Sequence, residues 1–257
     1  MKKTDDLSID KTLVFAEACY ETKQTSTGEY LFAHSQRVAR QAETIAQKLY
    51  QDMRAEYVPE NANDSIAAII HCSLLHAVLN VSACAFEHIA ETANVQVAAM
   101  VAAISRDFRL VETKRDMEFR GRLSQSAVST QIVAVADIIC TVQAVLKRLD
   151  TAGMLFVPKA KKILAQLDGD LLAVHAANKY YMLRLYVHAT RNMLSDVSQK
   201  IKACRQKAKM EKALLQTTKT VQEAVAAKNA QKKRSEAKEK KSEVQYARKR
   251  NVRADTE

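Results

Sequence analysis

Three residues of this chain combine side chains suited to chemistry with an apolar helical setting. His34 stands near the start of LFAHSQRVARQAETIAQKLYQDM, and His76 lies inside IAAIIHCSLLHAVLNVS. Asp137 is the one charge in QIVAVADIICTVQAV. A carboxylate in such a run is costly unless it meets an imidazole, a hydrogen-bond donor or a metal ion, and a buried imidazole needs a partner in turn. The three residues therefore predict one polar pocket between facing helices. Two chemistries fit it. In one, His76 and Asp137 form a buried hydrogen bond that His34 pads. In the other, imidazole and carboxylate donors hold a divalent cation that lowers the pKa of a bound water. His71 lies five residues before His76, about 140° around a helix, and is expected to turn into the core instead. His88, His175 and His188 stand alone on their segments and are assigned no chemistry.

The elements that must place these residues are helices. Only four glycines and two prolines punctuate 257 residues, and strand-like alternation is almost absent, which predicts an all-α fold. SIDKTLVFAEACYET reads as a first amphipathic helix, a loop around Gly28 follows, and the His34 segment is the second helix. YVPENANDS is the clearest turn, with Asn63, Asp64 and Ser65 as cap candidates for a central helix from Ile66 to Ser82 that is apolar nearly all round. Next comes a helix from about Ser82–Cys84 with Phe86 and Ile89 inward, then VQVAAMVAAIS. The polar stretch RDFRLVETKRDMEFRGRLSQSA, with five arginines and one lysine, reads as a surface loop with some helix. Ser129 and Thr130 are expected to cap the Asp137 helix, which ends near Leu149. Gly153 and Pro158 break the chain before two helices, Lys159 to Leu167 and Gly169 to Leu194. Leu171, Val174, Tyr181, Leu185 and His188 are the inward candidates of the second.

The net charge of +11 is concentrated at one end. Lys200 to Glu257 hold 18 basic and 7 acidic side chains, so the preceding residues balance. The expected organisation is a neutral helical domain over residues 1–195 and a basic tail over 196–257, one long polar helix that frays after about Ala230. Lys232–Arg234 and Arg248–Arg250 could neutralise phosphates, and Tyr246 could stack on a base. Glu236, Glu239 and Glu243 at helical spacing describe equally well a solvated helix without a ligand. The tail lacks a continuous apolar face for a membrane surface. The five cysteines show no CxxC and read as buried free thiols of a reducing compartment. No apolar N-terminal segment and no apolar run of membrane-spanning length is read, so a cytoplasmic location is expected.

Four segments in order, GEYLFAHSQRVA, AAIIHCSLLHAVLNVS, VQVAAMVAAISRD and TQIVAVADIICTV, resemble the HD-superfamily hydrolase domain of the RelA/SpoT family over about residues 10 to 150. The likeness is to its stand-alone (p)ppGpp hydrolases, of the metazoan SpoT-homologue kind. The first segment is similar to G-x-P-Y-x-x-H-P-x-x-V-A and sets His34 on the family's first metal histidine. The second is similar to A-A-L-L-H-D-x-x-E-D-T and sets His76 on the histidine of the HD pair. The third looks like V-x-x-L-V-x-x-V-T-x-D. The fourth is similar to A-K-x-V-K-L-A-D-x-x-x-N-L and sets Asp137 on the last metal carboxylate. The resemblance implies an HD-type helical bundle, a Mn²⁺ ion as cofactor and a guanine nucleotide as ligand.

The departures bear on activity. The family's HD aspartate is Ala77 here, and its Glu-Asp pair that assists the attacking water is Asn80 and Val81. Neither replacement can act as a general base, a loss of about 10²–10⁴ in rate. The guanine-holding basic residue aligns near Thr25. The Asn after the last metal carboxylate is Thr141, and the basic residue that follows that carboxylate is Ile138. Arg115, Arg120 and Arg122 remain as phosphate contacts. The expected reading is thus a degenerate hydrolase that keeps His34, His76 and Asp137 as a remnant metal site and works as a nucleotide-binding or regulatory module. One alternative is an active phosphohydrolase with an altered metal site, in which Asn80 is the nearest substitute ligand. The other is a scaffold whose basic tail binds nucleic acid or an acidic protein.

Overall fold

The computed structural model describes residues 8–53, 62–177 and 181–254, with only the backbone for 62–64, 177, 181, 182 and 232–254. The regular elements of the described residues are helices: α1 (Ile9–Tyr20), α2 (Leu31–Asp52), α3 (Ala62–Leu75), α4 (Val78–Val81), α5 (Phe86–Thr92), α6 (Val95–Ile104), α7 (Glu112–Gln125), α8 (Val128–Ala152), a 3₁₀ turn (Gly153–Leu155), α9 (Val157–Ala177) and α10 (Tyr181–Ala254). The fold is all-α, and among the described residues the sole β-type pairing is an isolated bridge between Gln24 and Tyr30. The chain divides into two compact units, Met1–Lys202 and Ala203–Glu257.

In the first unit α8 is the central element. Ile132, Val133, Val135, Ala136, Val142 and Val145 are fully buried on it, and α2, α3, α6 and α9 pack around it. This burial accounts for a property unexpected from the sequence. Val128–Leu155 is long and apolar enough, by length and composition alone, to cross a membrane, and 72% of its apolar window is buried inside the fold. α2 lies along α3 and presents Val38, Ala42, Ile45, Ala46 and Leu49, a stripe at the i, i+3, i+4 spacing of an amphipathic helix. The start of α10 completes the unit with Leu183, Val187, Thr190, Leu194, Val197 and Ile201, again three and four residues apart. Leu185 and His188, expected inward, are exposed, because the buried stripe is shifted in register; the Tyr181 side chain lies outside the described residues.

Several expected boundaries move. The arginine-rich stretch is an ordered helix, α7, which buries Phe119 and Leu123. Ser129 and Thr130 lie inside α8 and are buried, the N-cap being Ala127. Gly169 does not interrupt α9; instead its missing Cβ admits the guanidinium of Arg120, which would clash with a Cβ there. Phe86 is exposed and only Ile89 of the expected pair is buried. Ser65 lies within α3 and its Oγ bonds the Tyr50 hydroxyl at 2.8 Å. Of the expected turn YVPENANDS, residues 62–65 belong to α3, while residues 57–61 and the side chains of Asn63 and Asp64 lie outside the described residues.

The central helix is not continuous. α3 ends at Leu75, Ala77 has φ −105° and ψ −3°, and α4 restarts at Val78. The cause is Tyr20, fully buried at the end of α1. Its hydroxyl donates to the Leu74 carbonyl at 2.9 Å and accepts from the Ala77 N–H at 3.3 Å, satisfying two backbone groups that the helix would otherwise pair internally. The break falls on His76 and Ala77. Tyr20→Phe leaves both backbone groups without that partner, and is expected to lower stability by about 1–3 kcal/mol, read by denaturant titration. A stability unchanged within error would mean that the break is set by other contacts.

In the second unit the backbone of α10 is helical to Ala254. The described side chains from Lys209 to Gln231 are all exposed. Those of Lys232–Arg234, Glu236, Glu239, Glu243, Tyr246 and Arg248–Arg250 lie outside the described residues.

Candidate metal centre

Three elements deliver the three residues. His34 comes from the first turn of α2, Asp137 from the middle of α8, and His76 from the α3–α4 break. One donor atom from each lies within 4.8 Å of the other two, and this is the one such group of three metal-ligating side chains among the described residues. His34 Nε2 is 2.8 Å from Asp137 Oδ1, while His76 Nε2 stands 3.8 Å from the same oxygen. The close hydrogen bond is therefore made by His34, not by His76 as the sequence suggests. The two rings are tilted at 58° with centroids 5.6 Å apart. Thr141 adds a hydroxyl that donates to Asp137 Oδ1 at 3.4 Å.

Each imidazole is oriented by its other nitrogen. His76 Nδ1 lies 2.7 Å from the Ser73 carbonyl, which can only accept, so Nδ1 carries a proton and the neutral ring aims the Nε2 lone pair toward Asp137. His34 Nδ1 faces Glu29 Oε2 at 3.3 Å. Glu29 is in turn held by Arg37, one turn beyond His34, through bonds of 3.0 and 2.7 Å from Nε and Nη2. Gly28, at φ +86°, makes the tight turn that places Glu29: its N–H donates to the Thr25 carbonyl at 3.0 Å, and the Glu29 carbonyl accepts from the Thr25 N–H at 2.8 Å. Glu29 and Arg37 were not singled out from the sequence.

The electrostatics follow. Burial alone would depress His34, but the hydrogen bonds to Asp137 and Glu29 outweigh it and hold the imidazolium up to about 9. Burial would raise Asp137, yet the His34 bond and the two imidazoles bring it down to about 2. The His34 bond and Arg37 likewise hold Glu29 at about 2. His76 goes the other way, lowered by burial and by the neighbouring His34 charge, despite Asp137. The signs set a stability profile. A folded pKa above the ordinary imidazole value stabilises fully below that value and is lost as pH rises through about 9. The depressed His76 contributes above the ordinary value and is lost on acidification. With chelator present, thermal stability is thus expected to decline from near pH 6.5 toward pH 9, and His34→Asn should remove that decline. An alkaline decline of the same size in His34→Asn would contradict the assignment.

The donor set fits a divalent cation. Two imidazole nitrogens and a carboxylate oxygen suit Mn²⁺, Fe²⁺ or Zn²⁺, and the His–carboxylate and His–carbonyl bonds behind them are those that orient metal-bound imidazoles. His34 and Asp137 would hold such a cation only after giving up the proton that His34 Nε2 shares with Asp137, so uptake would release a proton.

The cluster opens into a cavity of about 230 Å³, lined also by Thr25, Ala77, Asn80, Thr141, Arg106 and Asp170. Ala77 contributes no donor atom. Arg106 stacks over Phe119 with its guanidinium 3.9 Å from the ring centroid and pairs with Asp116 at 2.6 Å and with Asp170. The arginines named from the sequence stand elsewhere. Arg115 lies over the Phe108 ring at 4.9 Å, Arg120 bonds Asp170 at 3.1 Å, and Arg122 donates to the Ser105 carbonyl. None of the three lines this cavity; Arg122 lines a neighbouring groove with Arg106 and Arg109. The remaining histidines keep out of the cluster. His71 is buried with its Nδ1 2.7 Å from the Thr12 hydroxyl, and His88 Nδ1 accepts from the Ala85 N–H at 3.0 Å.

No family model matches the chain, and no curated protein matches it. Among solved structures, that of a metazoan orthologue of SpoT, a protein that hydrolyses ppGpp and plays a role in starvation responses, is similar to it with a TM-score of 0.46 and 15% identity, over 70% of this chain and 92% of that one.

Proposed function

We propose that the first unit is an HD-type domain that binds a divalent cation, together with a guanine nucleotide of the (p)ppGpp class, without hydrolysing it, and so acts as a binding or regulatory module. One observation carries this reading. His34, His76 and Asp137 converge from three separate elements, while the adjoining cavity wall presents Ala77 and Asn80, where the resemblance calls for a metal carboxylate and an acid–base group. When bound, the cation would fix phosphate oxygens of the nucleotide. The residues of the chain do the rest: Glu29 and Ser73 orient the imidazoles, and Arg106 lines the same cavity together with Asp170, the carboxylate it is paired with. At the two positions where the resemblance calls for an acid–base pair, Asn80 and Val81 cannot take a proton. Isothermal titration of the purified chain with Mn²⁺, and then with ppGpp in its presence, tests the reading. Saturable binding of both supports it, and heat-silent titrations with unperturbed Tm contradict it.

The basic residues from Lys200 onward support an additional role as an electrostatic surface for polyanions, nucleic acid or an acidic protein, because the described part of that helix is solvent-facing. Binding of the full chain to single-stranded RNA that weakens steeply with salt would support it, and salt-insensitive or absent binding would count against it.

A further inference from the structure

Two of the five cysteines, far apart in sequence, meet in the fold. Cys19 Sγ, at the end of α1, lies 3.1 Å from Cys84 Sγ, in the segment between α4 and α5. Both are free thiols, Cys19 buried and Cys84 half-buried. A disulfide needs the sulfurs at about 2.05 Å, so the pair is within about 1 Å of bonding distance. Lys23 stands beside them, its Nζ donating to the Cys19 carbonyl at 2.9 Å, and the Ser82 hydroxyl accepts from the Cys84 N–H at 3.3 Å.

We infer that Cys19 and Cys84 form a reversible intramolecular disulfide with a small disulfide such as oxidised glutathione as the oxidant. Cys84, the more accessible, attacks one glutathione sulfur as thiolate, forms a mixed disulfide and expels one glutathione thiolate. Cys19 then attacks the Cys84 sulfur and expels the second. Two protein thiols are oxidised to one disulfide, the oxidant is reduced to two glutathione thiols, and the two protons of the cysteines pass to them. The order follows from accessibility: Cys84 is half-buried and can meet the oxidant, whereas Cys19 is buried and its thiol is pushed up to about 11 by burial and the hydrogen bond to Cys84, which makes it the poorer first attacker.

The bond would fasten both flanks of the α3–α4 break. Cys19 precedes Tyr20, which holds Leu74 and Ala77, and Cys84 follows α4, which carries Asn80 to the cavity wall. The inference does not depend on what the cavity binds. It is tested by incubating the full chain with oxidised glutathione, alkylating, and mapping peptides without reduction. The expected result is a Cys19–Cys84 cross-link, a fall from five to three alkylatable thiols that dithiothreitol reverses, and a Tm raised by roughly 5–10 °C. Cys84→Ser should abolish the cross-link, while Cys72→Ser and Cys204→Ser leave it intact. Five remaining thiols, glutathione retained on Cys84 without a cross-link, or a cross-link between other cysteines or between chains would overturn it.

Discussion

Asp137→Asn is expected to remove Mn²⁺ binding from the purified protein, with an affinity loss of at least about 10²-fold by isothermal titration. Asp137 supplies the one carboxylate of the cluster, and its Oδ1 is the atom toward which both imidazoles turn. Asparagine preserves the shape and removes the charge. The His34 imidazolium then keeps Glu29 alone as its counter-charge, at 3.3 Å and already shared with Arg37. Stability should therefore fall as well, by about 1–3 kcal/mol, below the cost of breaking a fully buried pair because Asp137 is partly open to the cavity. Undiminished Mn²⁺ affinity in a folded Asp137→Asn protein would place the metal elsewhere.

Ala77→Asp should act in two opposed ways. Ala77 borders the cavity directly after His76, and a carboxylate there stands near Asp137. In chelator the two negative charges repel, and Tm is expected to fall below that of the unmodified chain. With Mn²⁺ the same carboxylate becomes a fourth donor, so the affinity should rise about 10-fold or more and the metal-induced gain in Tm should exceed that of the parent. Pyrophosphate release should not return, because Asn80 and Val81 still provide no acid–base group. A variant whose Mn²⁺ affinity matches the parent's would show that position 77 does not face the ion.

Some of this arrangement was legible in the sequence for a definite reason. A charge or an imidazole isolated in an apolar helical run has nowhere to go but a partner, and so His34, His76 and Asp137 stood out. The helices α1, α2, α6 and α8 were visible from periodicity and composition. What stayed hidden depends on contacts between distant residues. The break at His76 and Ala77 is set by Tyr20, more than fifty residues earlier, and no local propensity marks it. Which imidazole takes Asp137 is decided by backbone placement within an ångström. Glu29 and Arg37 look like surface charges until the Gly28 turn brings them behind His34. Arg106 rather than Arg115, Arg120 or Arg122 reaches the cavity because α7 is a helix and points those three to other partners. The length of α9 through Gly169 reflects the close approach of Arg120, and the meeting of Cys19 with Cys84 reflects the packing of α1 against α4 and α5.

The most direct test of the account is release of pyrophosphate from ppGpp by the purified, unmodified chain with Mn²⁺ at saturation. No release above the protein-free control is expected, under conditions in which nucleotide binding is saturable. Steady turnover that chelator abolishes would contradict it, and would mean that another group of the cavity wall has taken over the roles that Ala77 and Asn80 cannot fill.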